Sequence, residues 1–360
     1  MVLPVNEASS NLDVQRALAR RVAEEILGVP ANDMSMASGA LATNYFSFTF
    51  PVEVGAAENR RRVFVKVPKA DLYNNSATIL PISGADRRMA EEEANSLRLL
   101  ADQWQAEDLD VSWVHLRGEV PDYNAVVTDS AQGEHALDVF RRMDLRRRFG
   151  CITDRDRLRA AMARLGVALG RFHLRHTTEA EFLPGLAAPK LLKYVDEISQ
   201  LTKSVWPSRV ARLIEQMGIS PIPGLLTTTL KGLDIRNILI DRSYRITLLD
   251  PGRMKKAYRE EDIARFLMTW RILYWGTGWF ALALEPDAAA ETAFLDGYQE
   301  SMGRPLSNCL HRFFLLKEIL KHWRIAYIAL SLKHWPHVIN RLVAVHYIDR
   351  FFERQLAKLG

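Results

Sequence analysis

The sequence predicts an α+β chain in two parts, a small β-rich amino-terminal lobe and a larger α-helical carboxy-terminal lobe. Apolar and polar residues alternate in Thr43-Asn44-Tyr45-Phe46-Ser47-Phe48-Thr49-Phe50 and again in Val63-Phe64-Val65-Lys66-Val67, the period of a strand. A break at Gln132-Gly133-Glu134 follows the short apolar strand Ala125-Val126-Val127-Thr128. Beyond it the apolar spacing is helical, except where Ile238-Leu239-Ile240 and Ile246-Thr247-Leu248-Leu249 flank Asp241-Arg242-Ser243-Tyr244-Arg245. That exception reads as one hairpin inside a helical region.

Taken in order, residues 11–28 form a helix, with Leu12, Val14, Leu18, Val22 and Ile26 near helical spacing and Gly28-Val29-Pro30 as its stop. Residues 43–50 and 63–67 make an antiparallel pair across a polar turn at 55–59. Phe46, Phe48 and Phe50 face one way, and Tyr45, Ser47 and Thr49 the other. Residues 87–103 form a helix with Met89, Leu97 and Leu100 on its apolar side. The predicted organisation is a helical extension over 1–30, an N-lobe over 31–130 with a hinge near 129–133, and a helical C-lobe over 131–360 that carries the hairpin.

Composition narrows the class. With 360 residues, 48% hydrophobic and 25% charged, the chain is globular and long enough for a full core. Two distant cysteines, Cys151 and Cys309, exclude a disulfide scaffold and a cysteine-rich zinc site. The net charge of +5 is too mild to indicate a nucleic-acid partner. The basic run Arg141-Arg142-Met143-Asp144-Leu145-Arg146-Arg147-Arg148 and the shorter Arg60-Arg61-Arg62 read as solvated faces. No basic start followed by an apolar core opens the chain, and no apolar run reaches the roughly 18–20 residues of a membrane span. The expected location is cytoplasmic. No Gly-x-Ser-x-Gly segment and no dinucleotide-binding glycine pattern is present, which argues against hydrolase and dehydrogenase chemistry.

The chemistry concentrates around the hairpin. Asn237 precedes one strand and Asp250 follows the other, so a short turn returns the two side chains toward each other. An amide and a carboxylate converging on one point suit Mg²⁺, which takes oxygen ligands and keeps phosphate oxygens in its shell. Lys66 sits inside an apolar strand, where a lysine is costly unless it is paired or at an edge.

The segment LKGLDIRNILIDRSYRITLLDPGRMKKAYREEDIARFL resembles the catalytic segment of the aminoglycoside phosphotransferase-like kinases, within the protein-kinase-like superfamily. In that family a His-Gly-Asp-x-x-x-x-Asn loop leads into a hairpin and then into an Asp that holds Mg²⁺. The resemblance spans roughly residues 35–350. It implies a two-lobed protein-kinase-like fold, ATP and Mg²⁺ as cofactors, and a hydroxyl of a small molecule or glycan as acceptor. It makes Asn237 and Asp250 the metal ligands. Lys66 becomes the lysine that reaches the α/β-phosphates, and Glu93 its carboxylate partner, with Glu92 as the alternative. Residues 38–44 match the nucleotide-covering turn, or are an ordinary hairpin turn. Val126-Val127-Thr128-Asp129-Ser130 resembles the linker that meets adenine, and LGVALGRFHLRH the family's long helix, in which His173 is a packing or hydrogen-bonding residue.

The departure falls at the base. Five positions before Asn237 the family has its catalytic Asp, and this chain has Gly232, in Leu230-Lys231-Gly232. Asp234 is the stand-in base. General-base catalysis is worth about 10²–10⁴-fold, so the expectation is a slow phosphotransferase, with a nucleotide- or partner-binding pseudokinase as the alternative. The five histidines His311, His322, His334, His337 and His346 lack matching partners for a metal site. Residues 313–356 read as packed helices, and a basic-aromatic face meeting membrane or glycolipid is the runner-up.

Overall fold

A computed structural model describes residues 5–29, 36–44, 46–55, 60–70, 78–80, 83–215, 220–275, 277, 282, 284–331 and 336–359. It divides into two compact units. The first comprises Met1–Glu134, Leu230–Gly232 and Asn237–Met254, and the second His135–Thr229, Leu233–Arg236 and Lys255–Gly360. Tyr45, the turn residues 56–59 and His334 lie outside the described residues.

The first unit opens with helix α1 (Val5–Arg21), continued by one π-helical stretch, Val22–Ile26. Gly28, at φ +64°, follows as the left-handed residue that commonly ends a helix. Strands β1 (Met36–Ser38), β2 (Ala42–Asn44), β3 (Ser47–Val54) and β4 (Arg61–Pro68) come next. Helix α2 (Gly84–Gln103) then leads to β5 (Val111–Trp113), β6 (Leu116–Val120) and β7 (Ala125–Asp129). The main sheet has the order β1-β3-β4-β7-β6, with β2 also on β3. Leu18, Ala19, Val22 and Ala23 of the first helix join Phe48, Phe50, Val52, Val63, Val65 and Val67 in one buried cluster. The amino-terminal helix therefore contributes to this core.

The stretch 43–50 is not one strand. β2 ends at Asn44, which pairs antiparallel with Ser47 at the start of β3, and Phe46 is exposed. The turn at 39–41 interrupts a single antiparallel partner of β3, since β1 pairs with Val52–Val54 and β2 with Ser47–Thr49. Pro51, which has no N–H to give that ladder, lies at the gap, and its carbonyl accepts from Gly39 N at 3.0 Å.

Strand β8 (Glu134–His135) closes the first stretch of the unit. In the second unit helices α3 (Ala136–Arg148) and α4 (Ile152–Arg175) precede β9 (Thr178–Phe182), α5 (Pro184–Ser199), α6 (Trp206–Glu215) and β10 (Ile222–Leu230). The chain then returns to the first unit for β11 (Ile238–Ile240) and β12 (Ile246–Leu248). This hairpin was expected in the helical lobe. It groups with the first unit because β12 runs parallel to β5, pairing Ile246 with Val111 and Leu248 with Trp113. The sheet order is β5-β12-β11-β8. The predicted break at Gly133 is packed against this hairpin: a Cβ there, at φ +138°, would lie 2.8 Å from the Ile240 carbonyl oxygen.

After β13 (Met254–Tyr258) come α7 (Glu260–Arg271), α8 (Ala288–Met302), α9 (Asn308–Ser331), α10 (His337–Val343) and α11 (Arg350–Ala357). Ala264 and Met268 of α7 pack with Phe313, Leu316, Ile319, Leu320 and Trp323 of α9 and with Phe351 and Phe352 of α11. The basic run in α3 is a solvated face only in part: Arg142 and Arg146 are exposed, while three other arginines hold buried acceptors. Arg147 and Arg148 clamp the fully buried Asp144, which also takes the Tyr274 hydroxyl, and Arg141 caps the Leu273 carbonyl. No helix among the described residues is long and apolar enough to cross a membrane.

Candidate functional site

Lys66 lies in β4, a central strand flanked by β3 and β7. It is not at an edge, so its ammonium needs partners. It has two, Glu93 Oε2 at 2.8 Å and Asp250 Oδ2 at 2.8 Å. Glu93 comes from α2, whose Ala90, Ala94 and Leu97 pack on Val114 and Val126. The Ser83 side chain caps that helix by accepting from Asp86 N at 3.3 Å. Glu92 points elsewhere, to Arg253 at 3.4 Å. The choice between the two glutamates that the sequence left open is thus decided by rotation along the helix.

Asp250 arrives from the hairpin. Asn237 O accepts from Leu249 N at 2.9 Å, so Asn237 and Asp250 bracket its open end. Asn237 Nδ2 donates to the Gly232 carbonyl at 2.9 Å, five residues back, which leaves Oδ1 as its acceptor end. Asp250 Oδ1 accepts from Gly252 N at 2.8 Å. Of the two carboxylates on Lys66, Asp250 is the open one, with its side chain 33% exposed against 8% for Glu93.

Charge follows this geometry. Burial alone would lower the Lys66 pKa, but Glu93 and Asp250 outweigh it and hold it above the ordinary lysine value. Burial pushes the Glu93 carboxyl up to about 7, against the pull of Lys66 and with added repulsion from Asp250. One cation is shared by two carboxylates, so the cluster is short of positive charge.

Gly232 N donates to the Pro251 carbonyl at 2.9 Å, and a Cβ at 232 would lie 2.0 Å from the Asp250 carbonyl oxygen. The position where the resembled family has its base is closed by backbone. The sequence showed the missing carboxylate and not this contact; the glycine pair Gly232 and Gly252 was its available signal.

Asp234 belongs to the second unit. Arg236 holds it, donating N–H and Nε–H to Oδ1 at 2.9 Å each and placing Nη2 on Oδ2. Burial works to raise the Asp234 pKa, but Arg236 and, more weakly, His322 bring it below the ordinary value. A carboxylate so engaged is a weak base. The Asp-x-Arg spacing was a visible sign of this turn. His322 in α9, read only as one of five histidines, approaches the Glu318 carbonyl with Nδ1 at 2.8 Å. His173 is fully buried between Tyr298 OH at 2.9 Å and Asp262 Oδ2 at 3.3 Å, the packing and hydrogen-bonding role expected of it. Among the described residues no group of three or more His, Cys, Asp or Glu side chains forms a metal site.

No family model matches the sequence, and no curated protein matches it. Solved structures do match. The chain is similar to the choline kinase LicA from Streptococcus pneumoniae, at 13% identity over 96% of this chain and 99% of that one, with a TM-score of 0.50. A choline kinase from Cryptosporidium parvum Iowa II matches at 10% identity over 95% and 94%, with a TM-score of 0.54. A glucosamine kinase in complex with glucosamine, ADP and inorganic phosphate matches at 16% identity over 95% and 83%, with a TM-score of 0.51. The chain shares the fold of these kinases, with a β-rich amino-terminal part and a helical carboxy-terminal part.

Proposed function

We propose that this chain is a slow ATP- and Mg²⁺-dependent phosphotransferase, acting in the cytoplasm on a hydroxyl of a small molecule or glycan. The observation that carries this reading is the ion triad of Lys66 with Glu93 and Asp250, built at the open end of the hairpin that begins at Asn237. Lys66 would bind the α/β-phosphates, and Glu93, the more buried of its two partners, would hold the Lys66 ammonium in place.

The donor set fits Mg²⁺ that arrives with nucleotide. One amide oxygen and one carboxylate are too few for a free-standing metal cage, and they suit an ion that completes its shell with phosphate and water oxygens. Asn237 Oδ1 and Asp250 would hold it, and bound Mg²⁺ supplies neutralisation of phosphate charge. Gly232 offers no base. Asp234 is the carboxylate this reading assigns to the acceptor proton, and its grip by Arg236 makes transfer slow. The relatives of known structure suggest choline and glucosamine as first acceptor probes.

Calorimetric titration with ATP and Mg²⁺ tests the site. The unmodified chain should bind, and Lys66→Ala and Asp250→Ala should each weaken binding on the order of 30-fold or more. No binding by a folded sample overturns the reading. The closed backbone at Gly232 favours a second reading, a pseudokinase that binds nucleotide without transfer. Nucleotide binding with no phosphate transfer to choline, glucosamine or water would establish that second reading. Transfer that falls in Asp234→Asn would establish the first.

A further inference from the structure

Gly232 occupies the place where the resembled family has a base, and its surroundings show another task. Its carbonyl accepts from Asn237 Nδ2 at 2.9 Å, and its N–H donates to the Pro251 carbonyl at 2.9 Å. The adjacent Lys231 N–H reaches the Arg253 carbonyl at 3.3 Å. Gly252, at φ +60°, completes the turn by donating its N–H to Asp250 Oδ1 at 2.8 Å. Both backbone polar groups of one residue therefore hold the two candidate metal ligands. Asn237 is held through its side chain, and Asp250 through the turn that carries it.

The same packing excludes a side chain. A Cβ at 232 would lie 2.0 Å from the Asp250 carbonyl oxygen and 2.8 Å from the Pro251 carbonyl carbon. Both are backbone atoms, so a shift of the turn is the sole relief. The contact is reciprocal, because a Cβ at 252 would lie 2.9 Å from Gly232 N. Two glycines on separate segments meet backbone to backbone directly behind Asp250.

We infer that Gly232 is a positioning residue that sets Asn237 and Asp250 for Mg²⁺, and that its lack of a side chain is a requirement of this arrangement, not merely the loss of a base. The inference rests on the nucleotide-site reading above. It has a consequence opposite to that of a lost base: a carboxylate inserted at 232 displaces the metal ligands and restores nothing.

The test compares Gly232→Ala, Gly232→Asp and Gly252→Ala with the unmodified chain. Gly185→Ala, whose added Cβ would meet nothing within 4 Å, is the control. Affinity is measured for ATP with Mg²⁺ and for ATP with a chelator, and amide hydrogen exchange is followed at Gly232 and Gly252 without ligand. Mispositioned ligands cost about 10–100-fold in metal affinity. The expected result is that loss for Mg²⁺-ATP in all three variants, with metal-free ATP binding near the unmodified value. Gly252 should exchange faster in both Gly232 variants, and Gly232→Asp should show no gain in turnover. Unmodified Mg²⁺-ATP affinity in Gly232→Ala, or a gain in turnover in Gly232→Asp, overturns the inference. Should the unmodified chain bind no Mg²⁺-ATP, the nucleotide reading falls by itself, and faster Gly252 exchange in Gly232→Ala still upholds the backbone clamp. If the variants do not fold, exchange in the unmodified chain decides: protection at both glycines upholds the clamp, and solvent-rate exchange at either removes it.

Discussion

Glu93 in the first unit and Glu261 in the second are equally buried, each 6% exposed, yet they stand at opposite ends of the carboxylate range. Burial pushes Glu93 up to about 7, because among the described residues it faces one cation, Lys66, and shares it with Asp250. Burial pushes Glu261 the same way, but Lys317, Lys255 and Arg265 surround it at 3.1, 2.9 and 3.2 Å and bring it down to about 2. Burial is equal in the two places, and the charge balance differs. The second cluster is saturated with cations and ties α7 to α9. The first is short of one, which is the condition in which a site accepts a proton or a divalent ion.

Removing a cation from each cluster is the most direct way to break this comparison. Arg265 bonds Asp262 at 2.9 Å as well as Glu261. Arg265→Met strands buried carboxylates and should cost about 3–5 kcal/mol in equilibrium denaturation at neutral pH. Lys66→Met should cost less, because Glu93 already lies close to taking a proton. Equal losses would show that the clusters do not differ in kind.

A pH series sharpens the contrast. The folded pKa of Glu93 lies above its ordinary 4.5, so the folded chain holds the extra proton between pH 4.5 and 7. That contribution is present below pH 4.5 and lost as pH rises to 7. The folded pKa of Glu261 lies below 4.5, so its contribution is present above pH 4.5 and lost as pH falls toward 2. Each window carries up to about 3 kcal/mol, at about 1.4 kcal/mol per pH unit. The stability advantage of the unmodified chain over Glu93→Gln should grow from pH 7 down to 4.5. Its advantage over Glu261→Gln should shrink from pH 4.5 down to 2. Parallel slopes in the two series would refute the assignment.

The smallest expected effect lies one step outside the first cluster. Ser83→Ala removes the cap of the helix that carries Glu93 and should cost about 1 kcal/mol. Thermal denaturation gives that loss, and calorimetry with Mg²⁺-ATP shows whether it reaches the Lys66 pair.

Much of the first unit was legible because strand period and hairpin spacing are local. Residues 63–67 and the two hairpin strands follow from alternation and turn residues alone. Asn237 and Asp250 follow from the hairpin between them. The same logic failed at 43–50, where alternation continues across two antiparallel strands, Ala42–Asn44 and Ser47–Val54, and Phe46 emerges exposed. It held for Arg142 and Arg146 of the basic run, which are exposed, but not for Arg147 and Arg148, which answer a buried carboxylate, Asp144, that also takes its hydroxyl partner from residue 274.

The sequence by itself determined the order of elements, the residue types available for phosphate and metal chemistry, and the absence of a carboxylate at 232. Those properties depend on periods of two and 3.6 residues and on spacings within one hairpin. Only the tertiary structure decided that Glu93 and not Glu92 meets Lys66, that Asp250 reaches Lys66 across 184 positions, and that Gly232 is filled by backbone. Each of these depends on burial, charge balance and close approach between segments distant in the chain, and no local period encodes them.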